Sequence, residues 1–163
     1  MKNFKLYYIE DEYINYLRQF DNKVAYNKNK SRPYVGVVYS HEGLDYFVPL
    51  HSPKEKHKMI NDKSVDIYKI KKGELGVVNI NNMIPVPMNV LSEVLPIITD
   101  DKYKKLLENQ LSFLNNNKRE LYEKITWFMF LYKKGRLNER ILNRCCNLEL
   151  LETKCLEYNK NKK

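Results

Sequence analysis

At 163 residues, the chain can form one domain with a hydrophobic core but not two domains of ordinary size. A hydrophobic fraction of 43% argues against a disordered chain, although 30% of the residues are charged. The formal net charge of +9 is compatible with a polyanionic partner, and nucleic acid is favoured over an anionic membrane. It fits equally well a globular protein whose lysines are simply solvated.

The sequence shows no feature of export or of membrane insertion. Its longest apolar candidate, residues 125–131, is far shorter than the ~18 residues of a membrane span, and its N-terminal segment lacks the pattern of a signal peptide. The cysteines, Cys145, Cys146 and Cys155, are odd in number and two of them are adjacent, which suits a reducing compartment better than a disulfide framework. We therefore expect a cytoplasmic protein without a membrane partner.

The first 32 residues predict a strand, a helix and a loop. The strand covers residues 5–9, and the helix begins at Asp11. Its apolar face has four members: Tyr13, Ile14, Leu17 and Phe20. Asn22 is the expected helix end, because asparagine tolerates the left-handed conformation of a C-cap. Residues 23–32 have no hydrophobic period and predict a mobile basic loop.

The next segments predict an antiparallel sheet. Residues 34–39 and 44–50 are typical of a hairpin, and Gly36 indicates a bulge or the close approach of another backbone. Two further strands are expected at 65–70 and 74–80. The prolines that follow, in the extended segment Met83–Met88, point to an edge strand.

From Asp100 onward the hydrophobic period becomes helical. Asp100 fits a helix N-cap, a second helix is expected at 121–131, and a third begins near Asn147. Residues 159–163 predict a frayed basic tail. Because strands come first and helices follow, we expect an α+β fold with a single domain, 1–163, built around an antiparallel sheet.

The familiar cofactor and metal motifs are missing from the sequence. Neither GxGxxG nor GxxxxGK[ST] occurs, so nucleotide-binding folds have no support. The three histidines, His41, His51 and His57, are close in sequence but lack the neighbouring carboxylates of a two-metal nuclease. We therefore expect no metal and no cofactor.

The segment after the hairpin is the richest in chemistry. Ser52, Pro53 and Glu55 fit the N-cap, N1 and N3 positions of a capping box. A helix start also presents free backbone N–H groups that suit a phosphate, and Lys54 and Lys56 lie beside it. The residues alone leave both interpretations open, a structural cap or an RNA phosphodiester site.

Several segments together resemble the ToxN/AbiQ family, the endoribonuclease toxins of type III toxin–antitoxin systems. The most specific are Pro-Leu-x-Ser-Pro-Lys at 49–54 and Asn-x-x-x-Met-Ile-Pro at 79–85. The remaining similar pieces, in matching order, are 13–17, 20–24, 34–38, 46–50, His57, 75–80 and 146–152.

This resemblance implies a metal-independent endoribonuclease with a compact, strongly twisted antiparallel sheet flanked by helices, similar to the MazF/Kid-type toxin fold. It also implies inhibition by a small structured antitoxin RNA, which the toxin cuts from a repeat array and binds in a closed hetero-oligomeric assembly. The substrates would be cellular or phage RNA. Such toxins halt growth, and several abort phage infection.

The resemblance also assigns site residues. The family's catalytic serine and lysine fall on Ser52 and Lys54, while relatives often have threonine where this chain has His51. Arg32 corresponds to a basic residue just before the hairpin, and Tyr26 to an active-site tyrosine in the preceding loop.

Metal-free RNA cleavage uses the substrate's own 2′-OH as nucleophile and leaves a 2′,3′-cyclic phosphate, so the protein moves protons and stabilises phosphoryl charge. Lys54 is one candidate for the proton transfer, and His51 and His57 are its rivals because imidazole titrates near neutrality. Arg32 would neutralise the developing charge, and Ser52 would hold the phosphate. Further phosphate contacts are expected from five lysines: Lys28, Lys30, Lys56, Lys58 and Lys63.

Two other functions fit the same composition. One is a non-catalytic basic RNA-binding module, and the other is a protein-interaction inhibitor whose charge is incidental. For Ser52 and Lys54 the structural alternatives are a helix cap and a solvated lysine.

Overall fold

A seven-stranded antiparallel sheet forms the centre of the computed structural model, which describes residues 2–161. The strands are β1 Lys5–Ile9, β2 Tyr34–His41, β3 Leu44–His51, β4 Ile67–Lys69, β5 Val77–Asn79, β6 Ile84–Pro85 and β7 Leu91–Glu93. Their order is β4-β5-β3-β2-β1-β7, and β6 also pairs with β3. The long strand β3 therefore has neighbours along its whole length, with β5 at its C-terminal end.

Most of the helical residues follow the sheet. The helices are α1 Asp11–Arg18, α2 Glu55–Lys58, α3 Asp101–Asn116, α4 Lys118–Lys133, α5 Glu139–Arg144 and α6 Leu148–Asn161. This arrangement confirms the α+β class with helices flanking an antiparallel sheet; the likeness to the MazF/Kid-type fold stays a prediction. Within residues 2–161, no helix has both the length and the apolar character needed to cross a membrane.

The core lies between the sheet and the helices packed on it. Helix α4 buries Leu121, Ile125 and Phe128, whose spacing of three to four residues puts them on one face toward β2. Tyrosines serve as core residues with a polar end. The hydroxyl of buried Tyr13 donates to the carbonyl of Pro85 at 2.6 Å, which links α1 to β6.

The hairpin and its glycine are as expected. Strands β2 and β3 pair antiparallel, and their register shifts between Val35 and Tyr39. A Cβ at Gly36 would lie 2.1 Å from Cδ1 of Phe47, so only glycine fits at this position. Both a bulge and a close approach therefore occur at Gly36, although the approaching group is a side chain rather than a backbone.

Several predicted boundaries were wrong. Helix α1 ends at Arg18, not at Asn22, and Phe20 is 40% exposed instead of joining the buried face. The strands expected at 65–70 and 74–80 shorten to β4 and β5, because the chain tightens into 3₁₀ turns at both ends of this pair. Asp100 caps α3 as predicted, since its carboxylate accepts from the N–H of Tyr103 at 2.8 Å.

The C-terminal segment is more ordered than expected. Helix α6 continues through Asn161, so residues 159–161 of the expected frayed tail are helical; Lys162 and Lys163 lie outside the described residues. Buried Tyr158 packs its ring 4.9 Å from that of Tyr13, which ties the last turns of α6 to α1. The cysteines are unpaired and buried.

Candidate active site

The segment after β3 forms a turn and a four-residue helix, with a different cap from the predicted one. Lys54 is the N-cap residue, not Ser52, so the capping box expected from Ser52 to Glu55 was wrong. The imidazole of His57 explains the shift: its Nδ1 accepts from the backbone N–H of Lys54 at 3.1 Å. Because one turn of helix carries little dipole, the segment contributes exposed side chains rather than a helix-start phosphate site.

Ser52 and Lys54 are both exposed at this turn, beside the last residue of β3, His51. The backbone of Lys54 is fixed from both sides, since its carbonyl also accepts from the N–H of His57 at 2.9 Å. The turn therefore presents the serine hydroxyl and the lysine ammonium to solvent from a defined backbone.

His51 joins two side chains that are distant in sequence. Its Nδ1 lies 3.4 Å from Nη1 of Arg32, and its Nε2 lies 3.0 Å from Nδ2 of Asn79. Strand pairing explains the second contact. Val77 is the partner of His51 across β3 and β5, and Asn79, two residues further, has its side chain on the same face.

The loop before β2 brings Arg32 and Tyr26 together. Nε of Arg32 donates to the carbonyl of Tyr26 at 2.9 Å. The Tyr26 ring is 64% exposed, and the guanidinium carbon of Arg18 lies 5.3 Å from its centroid. The structure thus places Tyr26 at the edge of the site, with its ring accessible for stacking on a base.

Polar contacts to α1 hold the same loop. The amide of buried Asn27 donates to the carbonyl of Ile9 at 2.8 Å and to the carboxylate of Asp11 at 2.6 Å. Asp11 also accepts from the backbone N–H of Lys30 at 2.8 Å. The loop contains no helix or strand, as the sequence predicted, yet these bonds fix its path toward Arg32.

Burial and positive charge keep His51 neutral. Burial lowers its pKa to about 4, the Arg32 guanidinium contributes next, and the charges of His57, Lys54 and Lys28 act in the same direction. At neutral pH His51 is therefore an uncharged imidazole, able to accept a hydrogen bond.

His57 has a structural task at the same site. It is 4% exposed, and burial, followed by the charges of Lys56 and Lys54, lowers its pKa. Its Nδ1 is occupied by the Lys54 N–H. The structure therefore places His57 beneath the turn as the residue that holds Lys54, a different position from that of a proton-transfer group open to substrate.

The predicted phosphate-binding lysines fall into two regions. Lys28 is close enough to act on His51, and Lys56 and Lys58 are exposed on α2, where Lys58 pairs with Glu55 at 3.3 Å. Lys30 is exposed in the same turn as Lys28. Lys63 lies apart from this cluster, in a cavity of about 510 Å³ that three arginines also line: Arg136, Arg140 and Arg144.

Sequence reasoning missed two amides that support the site. Asn79 belongs to the Asn-x-x-x-Met-Ile-Pro segment, so its sequence context was a signal. The signal for Gln110 was weaker: it is a polar residue on the same face of α3 as the buried Leu107 and Leu114. It is 1% exposed, and its amide donates to the carbonyl of Leu75 at 2.8 Å and approaches that of His51 at 3.4 Å.

The arrangement offers hydrogen-bond donors, cations and imidazoles. Within residues 2–161, the His, Cys, Asp and Glu side chains form no group of three or more that could hold a metal ion. The positive charges of Arg32, Lys54 and the surrounding lysines can stabilise the negative charge that develops on phosphoryl oxygens in a transition state.

The family model described as the toxin ToxN of type III toxin–antitoxin systems matches residues 5–156. The chain is 37% identical to the endoribonuclease ToxN of Bacillus thuringiensis subsp. kurstaki, over 96% of this chain and 84% of that protein. Two solved structures also match. AbiQ, a lactococcal anti-phage endoribonuclease of a type III toxin–antitoxin system, aligns with a TM-score of 0.83 and 28% identity, over 98% of this chain and 99% of that one.

The second structure is from a type III system in which a non-coding RNA pseudoknot selectively inhibits the toxin. It aligns with a TM-score of 0.79 and 34% identity, over 97% of this chain and 99% of that one. These matches confirm the resemblance found in the sequence. Since the family model spans nearly the whole chain, this protein belongs to the ToxN family of type III toxin–antitoxin toxins.

Proposed function

We propose that the protein is an endoribonuclease toxin that cuts RNA without a metal ion. The 2′-oxygen of the substrate bonds to the adjacent phosphorus while the bond from phosphorus to the 5′-oxygen breaks. A base takes the proton of the 2′-OH, and an acid protonates the leaving 5′-oxygen. The products are a 2′,3′-cyclic phosphate and a free 5′-OH. One observation carries the proposal: the cations Arg32 and Lys54 lie beside the uncharged imidazole of His51.

Arg32 is the proposed ligand of the phosphoryl oxygens. Of the five N–H donors of its guanidinium, one binds the Tyr26 carbonyl and one faces His51, so three remain for substrate. A guanidinium held by protein contacts on two sides stabilises developing negative charge without reorganising during the reaction.

Lys54 and Ser52 are the proposed groups at the scissile bond. Both are exposed at the turn after β3, next to His51. The ammonium of Lys54 has three donors and no acceptor, so in its charged form it protonates the leaving oxygen or stabilises the phosphoryl charge, and the Ser52 hydroxyl positions the phosphate. Uncharged Lys54 could instead take the proton of the 2′-OH, and His51 is its rival in that role because its imidazole is neutral at physiological pH.

The proposed cellular role follows from the relatives. Substrates would be cellular or phage RNA in the cytoplasm, and a small structured RNA, itself cut from a repeat array, would bind the toxin in a closed hetero-oligomer and inhibit it. Inhibition by an RNA pseudoknot in one relative and anti-phage activity in another support this role. Free toxin would then arrest growth or abort phage infection.

Cleavage in the presence of a chelator tests the proposal. Purified protein is incubated with RNA in excess EDTA, and the 3′ ends are analysed by mass spectrometry. We expect cleavage to persist and to leave cyclic phosphates. Lys54→Ala should reduce the rate by at least about a hundredfold, the usual contribution of a positioned acid or base.

Lys105→Ala is the matched control, since Lys105 is an exposed lysine on α3 that does not belong to the segment 51–58. A requirement for a divalent metal would contradict the mechanism. Intact RNA that the wild-type protein still binds would instead leave the alternative, a non-catalytic basic RNA-binding module.

A further inference from the structure

The imidazole of His51 lies between the Arg32 guanidinium and the Asn79 amide. Together these two contacts determine which ring nitrogen carries the proton. On one side Nη1 of Arg32 lies 3.4 Å from Nδ1, and on the other side the Asn79 amide lies 3.0 Å from Nε2. A neutral imidazole has one N–H and one lone pair, so its two nitrogens cannot play the same role.

The guanidinium decides which nitrogen carries the proton. Arginine has no acceptor and stays charged, so Nδ1 of His51 can face Nη1 of Arg32 favourably only with its lone pair. The proton of the neutral ring then belongs on Nε2. The group that faces Nε2 must therefore accept a hydrogen bond. The Asn79 side chain does so through Oδ1 when its amide is rotated by half a turn, which exchanges the positions of Oδ1 and Nδ2. The two orientations of the amide place heavy atoms at the same positions.

We propose that Asn79 is a positioning residue, whose amide oxygen accepts from Nε2–H of His51 and thereby holds the imidazole in the tautomer that binds Arg32. In this arrangement both ring nitrogens are engaged, so His51 acts on the reaction through Arg32 rather than as the base that takes the 2′-OH proton. The remaining donors of Arg32 bind the scissile phosphate. The inference rests on the proposed function for its effect on RNA cleavage, but the tautomer itself does not depend on RNA.

The surrounding structure holds the ring in place. Residues Leu50 and His51 pair with Val78 and Val77, which fixes the backbone of His51 relative to that of Asn79. Gly76 packs directly against the His51 carbonyl, since a Cβ there would lie 2.0 Å from that oxygen. The groups that face His51 are all cationic or neutral, and they disfavour a second proton that would break its contact with Arg32.

The first test observes the tautomer without RNA. Protein with ¹⁵N-labelled histidine contains three imidazoles, and His51→Gln identifies the signals of His51. At neutral pH we expect a protonated-nitrogen shift for Nε2 and a lone-pair shift for Nδ1. Asn79→Ala should give a mixture of both tautomers. A wild-type ring protonated on Nδ1 would overturn the proposal, whether or not the protein cleaves RNA.

The second test uses the rate of RNA cleavage. Asn79→Ala should lower kcat by about ten- to a hundredfold, as expected for a displaced catalytic group, with little change in KM. Asn79→Asp should restore most of the activity, because a carboxylate also accepts from Nε2–H. It should also move the acid limb of the pH–rate profile upward, because its negative charge favours protonated His51.

Asn109→Ala is the matched control, since Asn109 is exposed on α3. If Asn79→Ala keeps the wild-type kcat, the positioning role is refuted. It is also refuted if the alanine and aspartate variants are equally impaired with no movement of the acid limb, because that pattern indicates only structural damage. Absence of cleavage by the wild-type protein would count against the proposed function and would leave the tautomer result standing.

Discussion

At the scale of single residues, the partly buried His51 is the titratable side chain on which the chemistry of the site depends. Cations surround it, burial removes part of its hydration, and both ring nitrogens have neighbours. Its depressed pKa links the chemistry of the site to the stability of the fold, because the unfolded chain titrates with an ordinary histidine pKa of about 6.5.

We predict that His51 makes the protein less stable as the pH falls from about 6.5 to about 4. In this window the unfolded chain takes up a proton on His51 that the folded protein does not, so protonation favours unfolding. Below about 4 both states are protonated, so the loss of stability stays but no longer grows. Urea denaturation at several pH values measures the free energy of unfolding. His51→Gln should lose less stability across the window than wild type, and equal pH dependence would contradict the prediction.

The residue types at the site were predictable, but their pairing was not. Ser52, Lys54, Arg32, His51 and Tyr26 were predicted from the sequence, and the structure brings them to one region; their catalytic roles stay predictions. The cap on α2 was mispredicted because a serine, a proline and a glutamate fit a capping box locally, while a histidine three residues after Lys54 supplied the acceptor instead.

At the scale of elements, the turn before β5 supports the end of β3. Gly73 and Gly76 both have positive φ, 92° and 95°, and each faces a backbone of the site segment. A Cβ at Gly73 would lie 2.8 Å from the His57 carbonyl, and one at Gly76 would meet that of His51. The turn can pack this closely only because neither position carries a side chain.

We predict that Gly76→Ala destabilises the protein by at least about 2 kcal/mol, because an unfavourable φ is combined with a clash against the His51 carbonyl. The substitution should also lower cleavage activity, since the carbonyl shifts with the ring that contacts Arg32. Gly43→Ala separates the cost of the positive φ from the cost of the clash. Gly43 has φ of 81° with nothing within 4 Å of its added Cβ, so this variant should lose only about 1 kcal/mol.

Chemical denaturation of both variants measures the difference. Equal losses of stability would show that φ alone matters and that the contact between Gly76 and His51 has no energetic role.

Elements with a long hydrophobic period were predicted well, and among the short ones only β1, Lys5–Ile9, was predicted with its exact bounds. Helices α3 and α4 and the hairpin follow from their patterns, whereas the six-residue helix α5 was missed. The contact between His51 and Asn79 spans 28 residues and depends on β3 pairing with β5. A local pattern contains no information about which distant strand becomes the neighbour, so this pair was out of reach of the sequence.

At the scale of the whole molecule, part of the positive charge lies in two groups of basic side chains. Lys28 and the lysines of α2 lie around the turn after β3, and Lys63 lies with three arginines in a separate cavity. A net charge of +9 therefore produces regions that can follow an RNA backbone, which composition alone could not establish.

We predict that RNA affinity falls steeply with salt and that the slope depends on Lys28 and Lys56. In a Lys54→Ala background that keeps RNA intact, replacing both lysines by alanine should make the slope of log K against log salt shallower by about 1.4, or 0.7 for each phosphate that is no longer neutralised. A matched pair of exposed lysines on α3, Lys102 and Lys105, serves as control. An unchanged slope in the double variant would place the RNA elsewhere.

The buried amide of Gln110 affects when, during synthesis of the chain, the site can become active. This side chain reaches from α3 to the backbone of the site, and it follows Arg32, His51 and Lys54 in the chain. The arginine, histidine and lysine of the site leave the ribosome long before their support does. We therefore expect cleavage activity to begin only after α3 has been synthesised, because the backbone of His51 lacks this contact before then.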